Sequence, residues 1–218
     1  MIKAMIFDLD GTIGNTVPLC IKAFRKSIEP LIGRSISDKE IVATFGPSEE
    51  GTIKELIPEN YEEGVKQYLQ YYKDLHKEEC PNPFDDIAQV IRELKRNGIL
   101  VAMVTGKGRK SVDITLEQFD MAGLFEWVET GSINGSRKCE GITCVIEHFN
   151  INPKEAYYIG DAPNDIVAAR HAGVKIISAA WADMVDLDQL KRLKPDKIFR
   201  TIKEFKEFIF MCFSEFQR

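Results

Sequence analysis

The chain has 218 residues, 44% hydrophobic and 29% charged, with a formal net charge of -5. That balance supports a sizeable buried core, and its sign speaks against a nucleic-acid surface or an anionic membrane as the main partner. No apolar run is long enough to span a bilayer, no signal-peptide pattern opens the sequence, and the five cysteines are scattered without a CxxC pair, so a reducing cytoplasm is expected, with no structural disulfide or zinc site.

The first predicted element is a strand over residues 2–7, mostly apolar and β-prone. It stops at Asp8-Leu9-Asp10-Gly11. Alternate residues of extended chain point the same way, so Asp8 and Asp10 should face one site past the strand's C-terminal end, where open α/β sheets bind ligands. Two acids converging there call for a cation or a shared proton; the plain alternative is an Asp-Gly turn. A hinge over 12–16 leads into a helix from 17 to about 29, with Pro18 in its first turn, Thr16 as its cap, and Pro30 and Gly33 ending it. Ser37-Asp38-Lys39-Glu40 is a capping box opening a short helix to about 45. A turn at 46–48, a helix over 49–57 and a longer one from about 60 to 78 follow, until Pro81 and Pro83 break the pattern. Residues 14–84 therefore read as an all-helical insertion.

From residue 85 the character changes. A helix with Ile87, Val90, Ile91 and Leu94 on one face ends at Gly98, and a strand covers 99–104. A helix over 110–119, a short strand over 127–129, a loop over 134–138 and a helix over 142–149 come next. A strand over 156–159, a helix over 166–172, a strand over 175–178 and a final helix over 202–216 complete the chain. This alternation predicts an α/β fold: a Rossmann-like, three-layer parallel sheet core from 1–13 and 85–218, carrying the helical insertion 14–84.

Three apolar strands each end in a polar, Gly-containing turn: Asp8-x-Asp10-Gly11, Thr105-Gly106 and Gly160-Asp161-x-x-x-Asp165. A parallel sheet gathers such turns on one edge, which brings together four carboxylates, a hydroxyl and backbone N–H groups. That density of negative charge calls for a hard cation, and oxygen ligands with room for water fit Mg²⁺, which favours a substrate phosphate as partner. On these residues the chain resembles the haloacid dehalogenase-like (HAD) phosphohydrolase superfamily. Phe7-Asp8-Leu9-Asp10-Gly11-Thr12 is similar to its first motif, Val104-Thr105-Gly106 to its second, Lys138 to its third and Gly160-Asp161-Ala162-Pro163-Asn164-Asp165 to its fourth. Cys139 stands where the family usually has proline, and Lys107 is a rival for the third-motif role. The helical insertion resembles the family's small α-helical cap.

The resemblance implies a cytoplasmic, Mg²⁺-dependent phosphatase of a small phosphorylated metabolite, monomeric or homodimeric, working through an aspartyl-phosphate. Asp8 would be nucleophile and metal ligand, and Asp10 the acid and base, touching the metal through its backbone carbonyl. Gly11, Thr105 and Gly106 would bind the phosphate, Lys138 would offset its charge, and Asp161 with Asp165 would complete the metal site. The fourth motif is similar to the phosphoglycolate phosphatase branch, which makes 2-phosphoglycolate a candidate substrate, although Asn15 replaces an acid common in that branch. Arg34, Lys54 and the turn at 45–48 are candidate leaving-group contacts. Hydrolytic dehalogenases resemble the chain less, because they lack the acid at Asp10. A β-phosphoglucomutase-like mutase is the alternative, but that branch typically carries histidine where this chain has Cys20; a non-catalytic binding or regulatory protein is the third reading. Plainer roles also exist: Thr105 as a helix cap, Asp161 and Asp165 as acids at a helix start, Lys138 as a solvated loop lysine. His76, His148 and His171 read as surface or capping residues, Tyr68, Tyr71 and Tyr72 as helix packing, and Glu49-Glu50 as a helix N-terminus.

Overall fold

In the computed structural model, which describes residues 2–215 and side chains through 212, the strands are β1 (Ala4–Phe7), β2 (Leu100–Val104), β3 (Trp127–Glu129), β4 (Ala156–Gly160), β5 (Lys175–Ala179) and β6 (Lys197–Phe199). They form one fully parallel sheet in the order β3-β2-β1-β4-β5-β6. The helices are α1 (Val17–Ile32), α2 (Asp38–Ala43), α3 (Glu49–Leu56), α4 (Tyr61–Glu79), α5 (Ile87–Arg96), α6 (Arg109–Gln118), α7 (Lys138–Phe149), α8 (Pro163–His171), α9 (Leu187–Leu193) and α10 (Ile202–Glu215).

Side chains alternate across β1 as the strand period requires: Met5 and Phe7 enter one apolar layer, Ala4 and Ile6 the other. The first layer takes in Ile87 and Ile91 of α5, Val112 of α6 and Phe205 of α10. The second takes in Ile142 and Val145 of α7 and Ile166 of α8. With both faces covered, the strands need no polar side, which is why they read as continuous apolar runs.

Helices α1 to α4 are inserted between β1 and α5. Phe24 of α1 packs on Tyr68 of α4 with ring centroids 4.5 Å apart, and Tyr68 and Tyr72 are both buried. The insertion also grips the sheet layer. Tyr72 Oη lies 2.7 Å from Thr115 Oγ1 of α6, and His76 stands edge-on to Phe119 at 5.0 Å. His76 is thus wholly buried rather than a surface or capping residue, and burial lowers its imidazole. Among the described residues, no helix is long and apolar enough to cross a membrane.

Several predicted boundaries move. Pro30 lies inside the last turn of α1, which ends instead at Gly33 (φ 68°), whose N–H donates to the Glu29 carbonyl. The Ser37–Glu40 capping box forms as expected. Helix α7 already begins at Lys138, so that lysine stands on a first helical turn and not in a loop. Helix α8 begins at Pro163, whose fixed φ suits a first turn, while Asp165 accepts the Ala162 N–H at 2.9 Å. Helix α9 and strand β6 are additions that periodicity did not reveal. The predicted end of the last helix, residue 216, lies outside the described residues.

Candidate active site

Strand β1 is flanked by β2 and β4, so the turns after these strands meet at one place. Asp8 is buried there, and its Oδ1 accepts the Leu9 N–H at 2.7 Å. Lys138 reaches in from the first turn of α7, its Nζ 2.5 Å from Asp8 Oδ2 and 2.5 Å from Asp165 Oδ1. Asp165 is also engaged by Tyr158 Oη at 3.3 Å and by the Ala162 N–H. Asp8, Asp161 and Asp165 each bring a carboxylate oxygen within 4.8 Å of the others.

Burial raises the Asp8 carboxyl from 3.8 to about 6, Lys138 pulling against that shift and Asp165 adding to it. Burial, then Asp165 and Asp8, lift Asp161 well above its ordinary value. Burial alone would lower Lys138, but Asp165 and Asp8 hold its ammonium strongly protonated. Three carboxylates in one small space, two of them hard to ionise, are short of positive charge. An all-oxygen set of this kind fits a hard divalent cation.

Asp10 faces a different set of partners. Its Oδ1 accepts from Thr16 Oγ1 at 2.5 Å and lies 3.2 Å from Lys107 Nζ and 3.8 Å from Cys20 Sγ. Thr16 therefore turns its hydroxyl to Asp10 and does not cap α1. Lys107, fully enclosed, also lies 3.0 Å from Glu49 Oε1 and 4.5 Å from the Tyr72 ring centre. Burial would lower this ammonium, yet Asp10, Cys20 and Glu49 hold it well above its ordinary value. Glu49 Oε2 accepts the Gly108 N–H at 2.5 Å. Lys107 thus ties Asp10 to the helical insertion, while Lys138 stands among the carboxylates. Glu49 is a buried ion partner as well as the first residue of α3.

Thr105 and Gly106 line the same cavity, about 340 Å³ in volume, as Asp8, Asp10, Lys138 and Asp161. Thr105 is not the cap of α6, a place taken by Gly108. Gly11 departs from its expected role, because its N–H donates to the Gly14 carbonyl at 2.9 Å instead of facing the cavity. Its part is steric: at φ +72° a Cβ would run into the Asp161 carboxylate. Phe45, Gly46 and Pro47 line the cavity. Arg34 and Lys54 are not among its lining residues, and Arg34 pairs with Glu40 at 2.9 Å. Thr16 and Glu49 are the members that sequence reasoning missed, while Cys20 entered it only as the replacement of a mutase histidine. The one local sign was Lys107 directly after Thr105-Gly106, and nothing near Glu49 marks its partner.

The family model of the haloacid dehalogenase-like hydrolases matches residues 5–179. Over 201 residues, 90% of this chain and 92% of the relative, the sequence is 31% identical to a Clostridium perfringens protein carrying the provisional name pyrophosphatase PpaX. It is 29% identical over 197 residues to pyrophosphatase PpaX of Bacillus cereus strain B4264, covering 89% of this chain and 90% of that one. Among solved structures, a predicted phosphoglycolate phosphatase from Haemophilus somnus 129pt superimposes with a TM-score of 0.80 at 20% identity, covering 95% of this chain and 98% of that one. CbbY from Rhodobacter sphaeroides, in complex with phosphate, gives 0.76 at 19% identity, covering 92% and 95%. At such identities the two structures speak for the fold alone.

Proposed function

Because the chain belongs to the haloacid dehalogenase-like hydrolase family, we propose that it is a Mg²⁺-dependent phosphatase that hydrolyses a small phosphomonoester through an aspartyl-phosphate on Asp8. The single observation that carries this reading is the meeting of the buried Asp8, Lys138 and Asp165 with the half-buried Asp161 at the end of β1, with Asp10 on the same cavity. Residues 1–13 and 85–218 form the catalytic core in this reading, and 14–84 the cap that roofs the cavity and excludes water. Asp8 and Asp161, with the backbone of Asp10, would hold the ion. Asp165, engaged by Lys138, Tyr158 and the Ala162 N–H, orients Lys138 beside it. When bound, the ion supplies positive charge against the phosphoryl oxygens.

An Asp8 oxygen attacks phosphorus, the ester P–O bond breaks, and Asp10 gives the departing alkoxide its proton. Water then attacks the aspartyl-phosphate, Asp10 takes its proton, the P–O bond to Asp8 breaks, and inorganic phosphate leaves. Lys138, Thr105 and the Gly106 N–H stabilise charge on the phosphoryl oxygens. Cys20 stands beside Asp10, and burial together with Asp10 pushes its thiol up to about 12. A cysteine here, where the family's phosphosugar mutases typically carry histidine, supports hydrolysis over phosphosugar transfer. The test is Asp8→Asn, with p-nitrophenyl phosphate and Mg²⁺. Turnover should fall by about a thousandfold or more while the fold is kept; turnover near that of the native chain would remove Asp8 as nucleophile.

A further inference from the structure

With Asp8 as the nucleophile of a phosphatase, the leaving group must lie against the rest of the cavity. The helical insertion and the segment after β5 give that cavity a wall of Val17, Phe24, Val42, Phe45, Pro47 and Met184. Val42, Phe45 and Met184 are 42%, 40% and 55% exposed, so apolar surface also faces solvent at this cavity. Among the described residues, the lysines and arginines of the wall are Lys138 and Lys107. Lys138 is committed to Asp8 and Asp165. Lys107 is shared by two carboxylates, Asp10 at 3.2 Å and Glu49 at 3.0 Å. The trio carries a net negative charge, with no cation to spare.

We propose, resting on the phosphatase reading, that Glu49 is a specificity-determining residue: by occupying Lys107 it reserves the cavity for phosphomonoesters with a neutral, apolar leaving group. Thr52, Ser136 and Asn164 also line the cavity, but they are neutral, so a tail ending in a carboxylate or a second phosphate would meet apolar and uncharged side chains and an ammonium already matched. Burying an anion without a partner is strongly unfavourable, whereas an apolar tail gains about 25 cal/mol per Å² covered. Glu49 itself is held by the Gly108 N–H and by Lys107, so it is not free to swing aside for an anion.

The test is competition against p-nitrophenyl phosphate, with Mg²⁺ present, by two matched esters: butyl phosphate and 4-(phosphonooxy)butanoate. They differ in a terminal methyl against a terminal carboxylate. Butyl phosphate should have the lower inhibition constant by about tenfold. Glu49→Gln removes one negative charge and leaves Lys107 available, so the ratio should shift toward the carboxylated ester by about tenfold. Equal constants, no competition by either ester, or a native preference for the carboxylated one would overturn the proposal, as would an unchanged ratio in a folded Glu49→Gln. Should that variant fail to fold, Glu49→Asp, which keeps the charge but draws the carboxylate back from Lys107, should shift the ratio in the same direction, and an unchanged ratio in that variant would overturn the proposal. No turnover of p-nitrophenyl phosphate by the native chain would instead sink the phosphatase reading, and this proposal with it.

Discussion

Asp8 sits where an acid is least comfortable, buried beside two more carboxylates with one ammonium against it. Its carboxyl is raised from 3.8 to about 6, chiefly by burial, so the folded state prefers the protonated form. The stability this group contributes is therefore present below its ordinary value and is lost as pH rises through the raised one. Asp161 is shifted the same way by burial and by its acidic neighbours. A divalent cation binds only the ionised carboxylates, and so relieves the repulsion that appears at higher pH. Mg²⁺ should therefore raise the melting temperature more at about pH 7.5 than at about pH 5. Thermal melts with and without Mg²⁺ at both pH values check this. Equal increments, or a larger one in acid, would remove this cluster as the ion's seat.

The loops that follow the strands hold the cavity-lining groups in place. The turn after β2, carrying Thr105 and Gly106, is tied to the turn after β3 by the Gly131 N–H, which donates to the Lys107 carbonyl at 2.8 Å. Gly131 is packed so closely on the Gly106 carbonyl that a Cβ has no room. The obstacle is backbone, which cannot rotate aside as a side chain can. Gly131→Ala should displace the Thr105–Gly106 turn, lowering kcat/KM for p-nitrophenyl phosphate by about tenfold or more at a stability cost of about 1–3 kcal/mol. Steady-state kinetics with urea melts separate the two effects. Unimpaired kinetics would mean that this turn does not position the phosphoryl group.

Across the whole molecule the apolar core does not stop at the base of the insertion. One continuous cluster joins Leu19, Phe24, Tyr68 and Tyr72 above the sheet edge to Val112 and Leu116 of α6 and Met5 and Phe7 of β1. The Tyr72–Thr115 hydrogen bond and the His76–Phe119 contact reinforce that junction. Cooperative unfolding is expected from shared burial, because neither part keeps its apolar surface covered without the other. Calorimetry should show one transition, with calorimetric and van't Hoff enthalpies in a ratio of about 1. Two resolved transitions would show that the helices and the sheet melt independently.

The sequence by itself determined the parallel α/β core and most of its site. Apolar runs ending at Asp8, Val104 and Gly160 are strands covered on both faces, and the rule that parallel strands collect their C-terminal turns placed Asp8, Asp10, Thr105 and Asp161 together. Helix starts at Lys138 and Pro163 were read a few residues late, because polar first turns carry no apolar period. Seven-residue α9 and three-residue β6 are too short for any period to register. Only the tertiary structure decided that Lys107 serves Asp10 and Glu49, that Thr16 turns to Asp10, and that His76 is buried. The physical reason is range: patterning reports neighbours up to four residues away, whereas these partnerships form when the helices close over the sheet edge and desolvation forces each remaining charge to find an opposite one.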